Sequence, residues 1–264
     1  MQSFNNKLVK TINQKKSWLC VGLDISPENL GESSLNLLKD HCKKVIDCTR
    51  DIAVAYKPNF AFFERWGSKG YQWLEEVVDY IGDSAITIAD AKRGDIGSTA
   101  EQYAISIFDH LKFDAVTINP FLGSDSIIPF SKYEDKGVFI LCRTSNPSGN
   151  EFQLLNSPTI PLFENIASWA NGLNINQNIG LVIGATRINE LKSIRKISPK
   201  LPLLIPGIGA QGGNLKSSAI IGNSTGPAII NVSRGISFSG KMSDKDIRDS
   251  ALNYNNQIRN FINA

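Results

Sequence analysis

Residues 85–95 read AITIADAKRGD: an apolar run broken only by Thr87, then Asp90, Lys92, Arg93 and Asp95 in quick succession. An apolar run without polar alternation is what a strand covered on both faces requires, as in a parallel sheet packed between layers. The pattern recurs along the chain. Runs at 18–22 (WLCVG), 52–56 (IAVAY), 115–118 (AVTI), 138–141 (VFIL), 179–183 (IGLVI), 203–205 (LLI) and 228–232 (AIINV) bring the set to eight. Between them the spacing predicts helices over 35–50, 70–80, 99–108, 162–173 and 189–196, with a last one over 245–261.

Parallel strands need crossovers of about a dozen residues. Eight such units in 264 residues fit one α/β domain over 1–264, a closed TIM (β/α)8 barrel. The structural rival is an open doubly wound sheet. Against it, the first run is followed by GLDISPENLG and not by a G-x-G-x-x-G turn, so a dinucleotide fingerprint is absent. Two regions interrupt the pattern. Pro120, Gly123 and Pro129 leave room for only a short helix in 119–136, and Pro147, Gly149 and Pro158 make 144–159 a long loop after the fifth strand. Such loops sit at the catalytic face of a barrel.

An apolar share of 42% with 20% charged residues belongs to an ordinary globular chain, neither disordered nor fibrous. The net charge is only +3 and no Lys/Arg-dense tract occurs, which argues against a nucleic-acid stripe and leaves a single anionic metabolite open. Cys20, Cys42, Cys48 and Cys142 form no C-x-x-C pair, and His41 and His110 are the only histidines. A zinc site is therefore not expected, and the thiols suit a reducing compartment. No signal-like N-terminal segment and no eighteen-residue apolar run is evident, so the expectation is a cytoplasmic protein without a membrane partner.

Several runs end in polar groups: Asp24 after the first, Lys57-Pro58-Asn59 after the second, Asn119 after the fourth, Arg143–Asn146 after the fifth and Ser233-Arg234-Gly235 after the eighth. Each alone could be a helix cap or a solvated loop residue. In a closed barrel they converge on one rim. A period of two puts Asp90 and Lys92 on the same side if the third strand runs that far. Opposite charges in a secluded site favour one another's charged forms, and buried pairs add little net stability, which suits proton-transfer chemistry better than fold support. After the seventh run, Gly207, Gly209, Gly212 and Gly213 let backbone N–H groups approach an anion, and Arg234 lies one βα unit further on. Together they point to a small phosphorylated ligand.

The stretch Asp90–Thr99 resembles the D-x-K-x-x-D-I-G-x-T signature of orotidine 5'-phosphate decarboxylases. The resemblance extends through Gly22-Leu23-Asp24, Lys57-Pro58-Asn59, Asn119–Gly123, Leu141–Pro147, Gly184-Ala185-Thr186, Pro206–Gly213 and Arg234-Gly235, covering nearly the whole chain. It looks like the longer bacterial branch, type 2, related to the decarboxylase part of some bifunctional UMP synthases. The resemblance implies conversion of orotidine 5'-phosphate (OMP) to UMP without metal or organic cofactor. It implies Lys92 as proton donor to pyrimidine C6, with Asp90 orienting it and crowding the departing carboxylate. Asp95 and Thr99 resemble a pair that reaches the neighbouring subunit's site, hence a homodimer with shared active sites. Asp24 and Lys57 match ribose-binding residues, and Asn59 and Asn119 stand in matching motifs and join the substrate-binding set. Gln211 and Arg234 correspond to phosphate ligands, helped by amides near Gly213 and Gly235. Ser145 or Thr144 contacts the pyrimidine. Related sugar-phosphate decarboxylases share D-x-K-x-x-D but generally need a divalent metal, and a silent nucleotide sensor would lack the central lysine or aspartates.

Overall fold

The computed structural model describes residues 2–209 and 212–263. Eight parallel strands close into a barrel in sequence order. They are β1 (Leu19–Leu23), β2 (Ala55–Pro58), β3 (Ile86–Arg93), β4 (Ala115–Ile118), β5 (Gly137–Arg143), β6 (Ile179–Ile183), β7 (Leu203–Ile205) and β8 (Ala228–Val232). Closure runs through Leu19↔Ile230, Cys20↔Asn231 and Val21↔Val232. Helices Leu35–Thr49, Ser68–Ile81, Gly97–Ile105, Leu162–Leu173, Ile188–Ile197, Leu215–Gly222 and Asp244–Asn263 surround it. After β4 the crossover shrinks to a 3-10 segment, Pro120–Ser126, and the short helix Ile128–Ser131. The expected barrel is therefore observed, and the open sheet is excluded.

The strands alternate between two apolar layers, although their sequences look uniformly apolar. Residues such as Val21, Val116, Ile140, Leu181 and Ile230 face the surrounding helices. Cys20, Ala55, Ile88, Ala115, Phe139, Val182, Leu204 and Ile229 face the barrel interior. One further step of two along the inward set reaches Lys57, Asp90, Thr117, Leu141, Gly184, Pro206 and Asn231, all of which line the cavity at the barrel mouth. The period of the pleat thus converts an apolar interior into a polar floor within one layer.

Some boundaries move. β2 begins at Ala55, not at residue 52, because Ile52–Val54 form the buried entry to the strand and Lys57 and Pro58 belong to it. The helix Phe4–Lys15 was not anticipated. Its buried residues are Phe4, Leu8 and Ile12, one apolar stripe in a polar segment that joins the interior cluster. This helix seals the bottom of the barrel. Phe4 packs edge-on against Phe139 with ring centroids 5.9 Å apart, and a Cβ on Gly137 would lie 2.4 Å from the Phe4 ring. The helix Leu215–Gly222 was also unforeseen, directly after the glycine-rich run. Near it, buried Arg195 donates to the carbonyls of Leu201 (2.8 Å), Gly222 (2.5 Å) and Pro227 (3.1 Å), pinning the segments that feed β7 and β8.

Candidate active site

A cavity of about 390 Å³ opens at the C-terminal mouth of the barrel. Its floor is an ionic centre built on β2, β3 and β4. Asp90 receives Lys57 Nζ at 2.6 Å on one carboxylate oxygen and Lys92 Nζ at 2.6 Å on the other. The Lys57 and Asp90 side chains are only 5% and 11% exposed, whereas Lys92 is half exposed and faces the open cavity. The Thr117 hydroxyl donates to the same Asp90 oxygen as Lys92 (3.1 Å) and accepts from the Lys92 backbone N–H (3.0 Å).

β3 does run as far as the charged residues, but not as a regular strand. Its register against β4 shifts between Ala89 and Arg93, and Lys92 adopts φ +47°, a left-handed conformation unfavourable for a side chain that is not glycine. Asp90 and Lys92 meet, as expected, through this bulge and not through an ideal pleat.

The charges support one another. Burial alone would lower the Lys57 ammonium, but the carboxylates of Asp90 and Asp24 outweigh it and hold the group above its ordinary value. For Asp90, burial pushes the carboxyl upward, and the ammonium groups of Lys57 and Lys92 reverse this and keep it well below the usual carboxylate range. Asp24 lines the cavity, and one of its carboxylate oxygens is buried without a hydrogen-bond partner among the described residues. Asn59 also lines the cavity, while its side chain accepts from Ala61 N at the start of Phe60–Glu64.

Two further walls complete the cavity. Thr144, Ser145 and Asn146, after β5, form one; Pro206, Gly207 and Ile208 after β7 with Ser233 and Arg234 after β8 form the other. Gly207, Gly209 and Gly212 have φ of 104°, 81° and 72°, values that only glycine takes readily. Arg234 opens the short helix Arg234–Ser237.

The structure thus gathers Asp24, Lys57, Asn59, Asp90, Lys92, Thr144, Ser145 and Arg234 around one space. Asp95, Thr99, Asn119, Gly213 and Gly235 do not line it. Asp95 accepts from Ile96 N at 2.9 Å, Thr99 lies exposed on Gly97–Ile105, and Asn119 accepts from Phe121 N at 3.1 Å. Gly213 donates its N–H to Gly207 O (3.0 Å), and a Cβ on Gly235 would lie 2.8 Å from Tyr254 Oη. Gln211 falls outside the described residues. Thr117 and Asn231 are not among the sequence candidates, whereas Ser233 stands in the strand-end set and lines the cavity. For Thr117 and Asn231 a signal existed in their period-two relation to Ala115 and Ile229. Among the described residues, no group of three or more His, Cys, Asp or Glu side chains is placed to hold a metal ion, and no helix is long and apolar enough to cross a membrane.

Residues 17–245 match the Orotidine 5'-phosphate decarboxylase / HUMPS family. Orotidine 5'-phosphate decarboxylase of Dehalococcoides mccartyi is 46% identical over 270 residues, covering 98% of this chain and 97% of that protein. Among solved structures, Leishmania donovani OMP decarboxylase superposes with a TM-score of 0.89 at 39% identity over the full length of both chains. Leishmania donovani UMP synthase gives 0.89 at 40% identity, covering 99% of this chain and 57% of that one.

Proposed function

The chain belongs to the Orotidine 5'-phosphate decarboxylase / HUMPS family, and on that footing we propose that it converts OMP to UMP and CO2 without a metal or organic cofactor, with Lys92 as proton donor. The observation that carries this is the single carboxylate of Asp90 held between two ammonium groups at 2.6 Å each on the cavity floor. Fixed charges of this kind act at full strength where water is scarce and need no reorganisation during the reaction.

Substrate phosphate takes the wall of Gly207, Ser233 and Arg234, where a guanidinium fork and glycine-rich backbone suit a dianion. Gln211, with backbone amides near Gly213 and Gly235, is the further phosphate ligand of this reading. Ribose hydroxyls meet Asp24, Lys57 and Asn59, and the pyrimidine meets Thr144 or Ser145. The C6 carboxylate then comes to lie by Asp90 and Lys92. The bond from C6 to the carboxyl carbon breaks, CO2 departs, and the electron pair stays on C6. Lys92 stabilises that developing charge and transfers one Nζ proton to C6, giving UMP and a neutral amine that is reprotonated from solvent. Lys57 keeps Asp90 a carboxylate throughout, so the substrate carboxylate faces a negative charge on one side and the donor on the other.

The active unit in this proposal is a homodimer in which Asp95 and Thr99 serve the neighbouring cavity, with Asn119 on the same rim. In support, Asp95 and Thr99 lie off their own cavity beside the exposed apolar residues Ile96, Tyr103, Phe121, Leu122 and Ile128. Four unpaired thiols, three of them buried, support a reducing, cytoplasmic setting.

The test is absorbance-monitored turnover of OMP by the purified protein, with and without EDTA. Equal rates are expected. Turnover abolished by chelation and restored by Mg²⁺ or Zn²⁺ would defeat the metal-free route, and no turnover in either condition would defeat the assignment.

A further inference from the structure

We propose that Arg143 and Arg187 are positioning residues for pyrimidine recognition, together holding the loop that presents Thr144, Ser145 and Asn146 to the cavity. This rests on the OMP decarboxylase reading above and adds to it the groups that set selectivity for the base. Arg187, just after β6, donates through Nε and Nη2 to three successive carbonyls: Thr144 O (3.3 Å), Ser145 O (3.4 Å) and Asn146 O (3.0 Å). Arg143, the last residue of β5, is fully buried beneath the same loop. Its guanidinium reaches Gln153 Oε1 (2.9 Å), Asn150 Oδ1 (2.5 Å) and Glu190 Oε1 (3.1 Å). Gln153 passes the constraint back to the cavity wall, accepting from Thr144 N (2.9 Å) and donating to Thr144 Oγ1 (2.8 Å). Packing closes the remaining freedom, since a Cβ on Gly184 would lie 2.6 Å from Ser145 N.

A buried arginine is a poor choice for stability alone, because an apolar side chain of similar volume does as well or better. Here Arg187 donates to the loop backbone, while Arg143 divides its donors between the loop side chains of Asn150 and Gln153 and Glu190 on the helix Ile188–Ile197, tying the loop to the barrel wall in one arrangement. A pyrimidine imide edge offers a fixed pattern of acceptor, donor and acceptor, and a site rejects a different edge only when its own polar groups cannot move to suit it. Phosphate and ribose contacts lie on other walls, so loosening this loop affects the base and not the sugar phosphate.

The experiment compares inhibition of OMP turnover by UMP, CMP and ribose 5-phosphate in wild type, Arg187→Met, Arg187→Lys and Arg143→Lys, with melting curves for each. In Arg187→Met, UMP binding should weaken about 10- to 100-fold while ribose 5-phosphate binding stays within about twofold. The UMP/CMP preference should fall and KM should rise more than kcat drops. Arg187→Lys, which keeps the charge but not the fork, should recover only a minor part. If Arg143→Lys does not fold, the half-buried Arg187 carries the test alone. A folded Arg187→Met that keeps the wild-type ratio of UMP to ribose 5-phosphate affinity overturns the positioning role. A wild type that neither turns over OMP nor prefers UMP to ribose 5-phosphate overturns the functional reading beneath it.

Discussion

Replacing Thr117 by valine keeps the shape of a buried side chain and removes two hydrogen bonds at the ionic centre. The hydroxyl accepts from Lys92 N at 3.0 Å and donates to Asp90 Oδ1 at 3.1 Å. The first bond helps to hold Lys92 at φ +47°, a conformation that costs an ordinary side chain about 1–2 kcal/mol. The second is a bond to a charged acceptor, worth about 1.5–3 kcal/mol. Asp90 keeps both ammonium partners in the variant, so the fold should survive, but Lys92, the proposed donor, loses a backbone anchor. If the loss of about 1.5–3 kcal/mol is expressed in the transition state, kcat/KM falls about 10- to 150-fold. The drop should lie mainly in kcat, because Thr117 belongs to neither the phosphate wall nor the base loop. OMP turnover followed by absorbance, UMP inhibition and thermal unfolding make the measurement, with Thr117→Ser as the control that restores the hydroxyl. A folded Thr117→Val enzyme with kcat/KM within about threefold of wild type would show that the hydroxyl does not position Lys92.

Three other outcomes are expected. Arg234→Ala should weaken OMP and UMP binding by about 1.5–3 kcal/mol through loss of charge-assisted bonds to phosphate; an unchanged UMP inhibition constant removes Arg234 from that wall. Lys92→Ala and Asp95→Ala should each be severely impaired, yet co-dissociated and reassociated mixtures should regain roughly a quarter of wild-type activity, since about half the dimers are mixed and each holds one intact site. Verified heterodimers without activity, alongside a wild-type control that recovers, rule out the shared site. Asp90→Asn should lower stability at pH 7 by about 3–5 kcal/mol, because it leaves the buried Lys57 ammonium without its nearest counter-charge. The folded carboxyl of Asp90 lies below its unfolded value, so its contribution is complete above about pH 4 and drains away as pH falls towards the folded value. The stability gap between Asp90→Asn and wild type, read from denaturant titrations at pH 7 and pH 3, should therefore narrow in acid, and a constant gap contradicts the linkage.

The barrel was legible because buried parallel strands need uninterrupted apolar runs, and β6, β7 and β8 begin and end where those runs do. β2 was misplaced by three residues because hydrophobicity does not separate Ile52–Val54, a buried entry segment, from the strand itself. Helix Phe4–Lys15 escapes the sequence reading because Phe4, Leu8 and Ile12 are a thin buried stripe in twelve residues. In the site, Asp90 and Lys92 could be paired by periodicity, and Arg234 could be tied to the glycine run by fold logic. Thr117 stands two residues beyond Ala115, a signal that becomes usable once the inward face of β4 is known. The placement of Asp95 and Thr99 off the cavity depends on a bulge and a helix start that local sequence does not encode. Arg143 belongs to the strand-end set, but its tie to Glu190 depends on β5 and β6 lying side by side, and Arg187 meets the carbonyls of Thr144, Ser145 and Asn146 only through the same pairing.

The helix that plugs the bottom of the barrel has a consequence at the top. Phe4, Leu8 and Ile12 complete an apolar column with Ala55, Ile88, Phe139 and Ile229, and Lys57 and Asp90 stand directly upon it. The barrel is in effect a vessel insulated at one end. Solvent dipoles approach the charged layer from the mouth, which is the side that a ligand closes. A ligand entering there therefore completes a dielectric enclosure whose other walls were finished when the chain folded. A leak beneath Phe139 would act as an electrical fault, weakening the fields on the floor without touching any residue that meets the substrate.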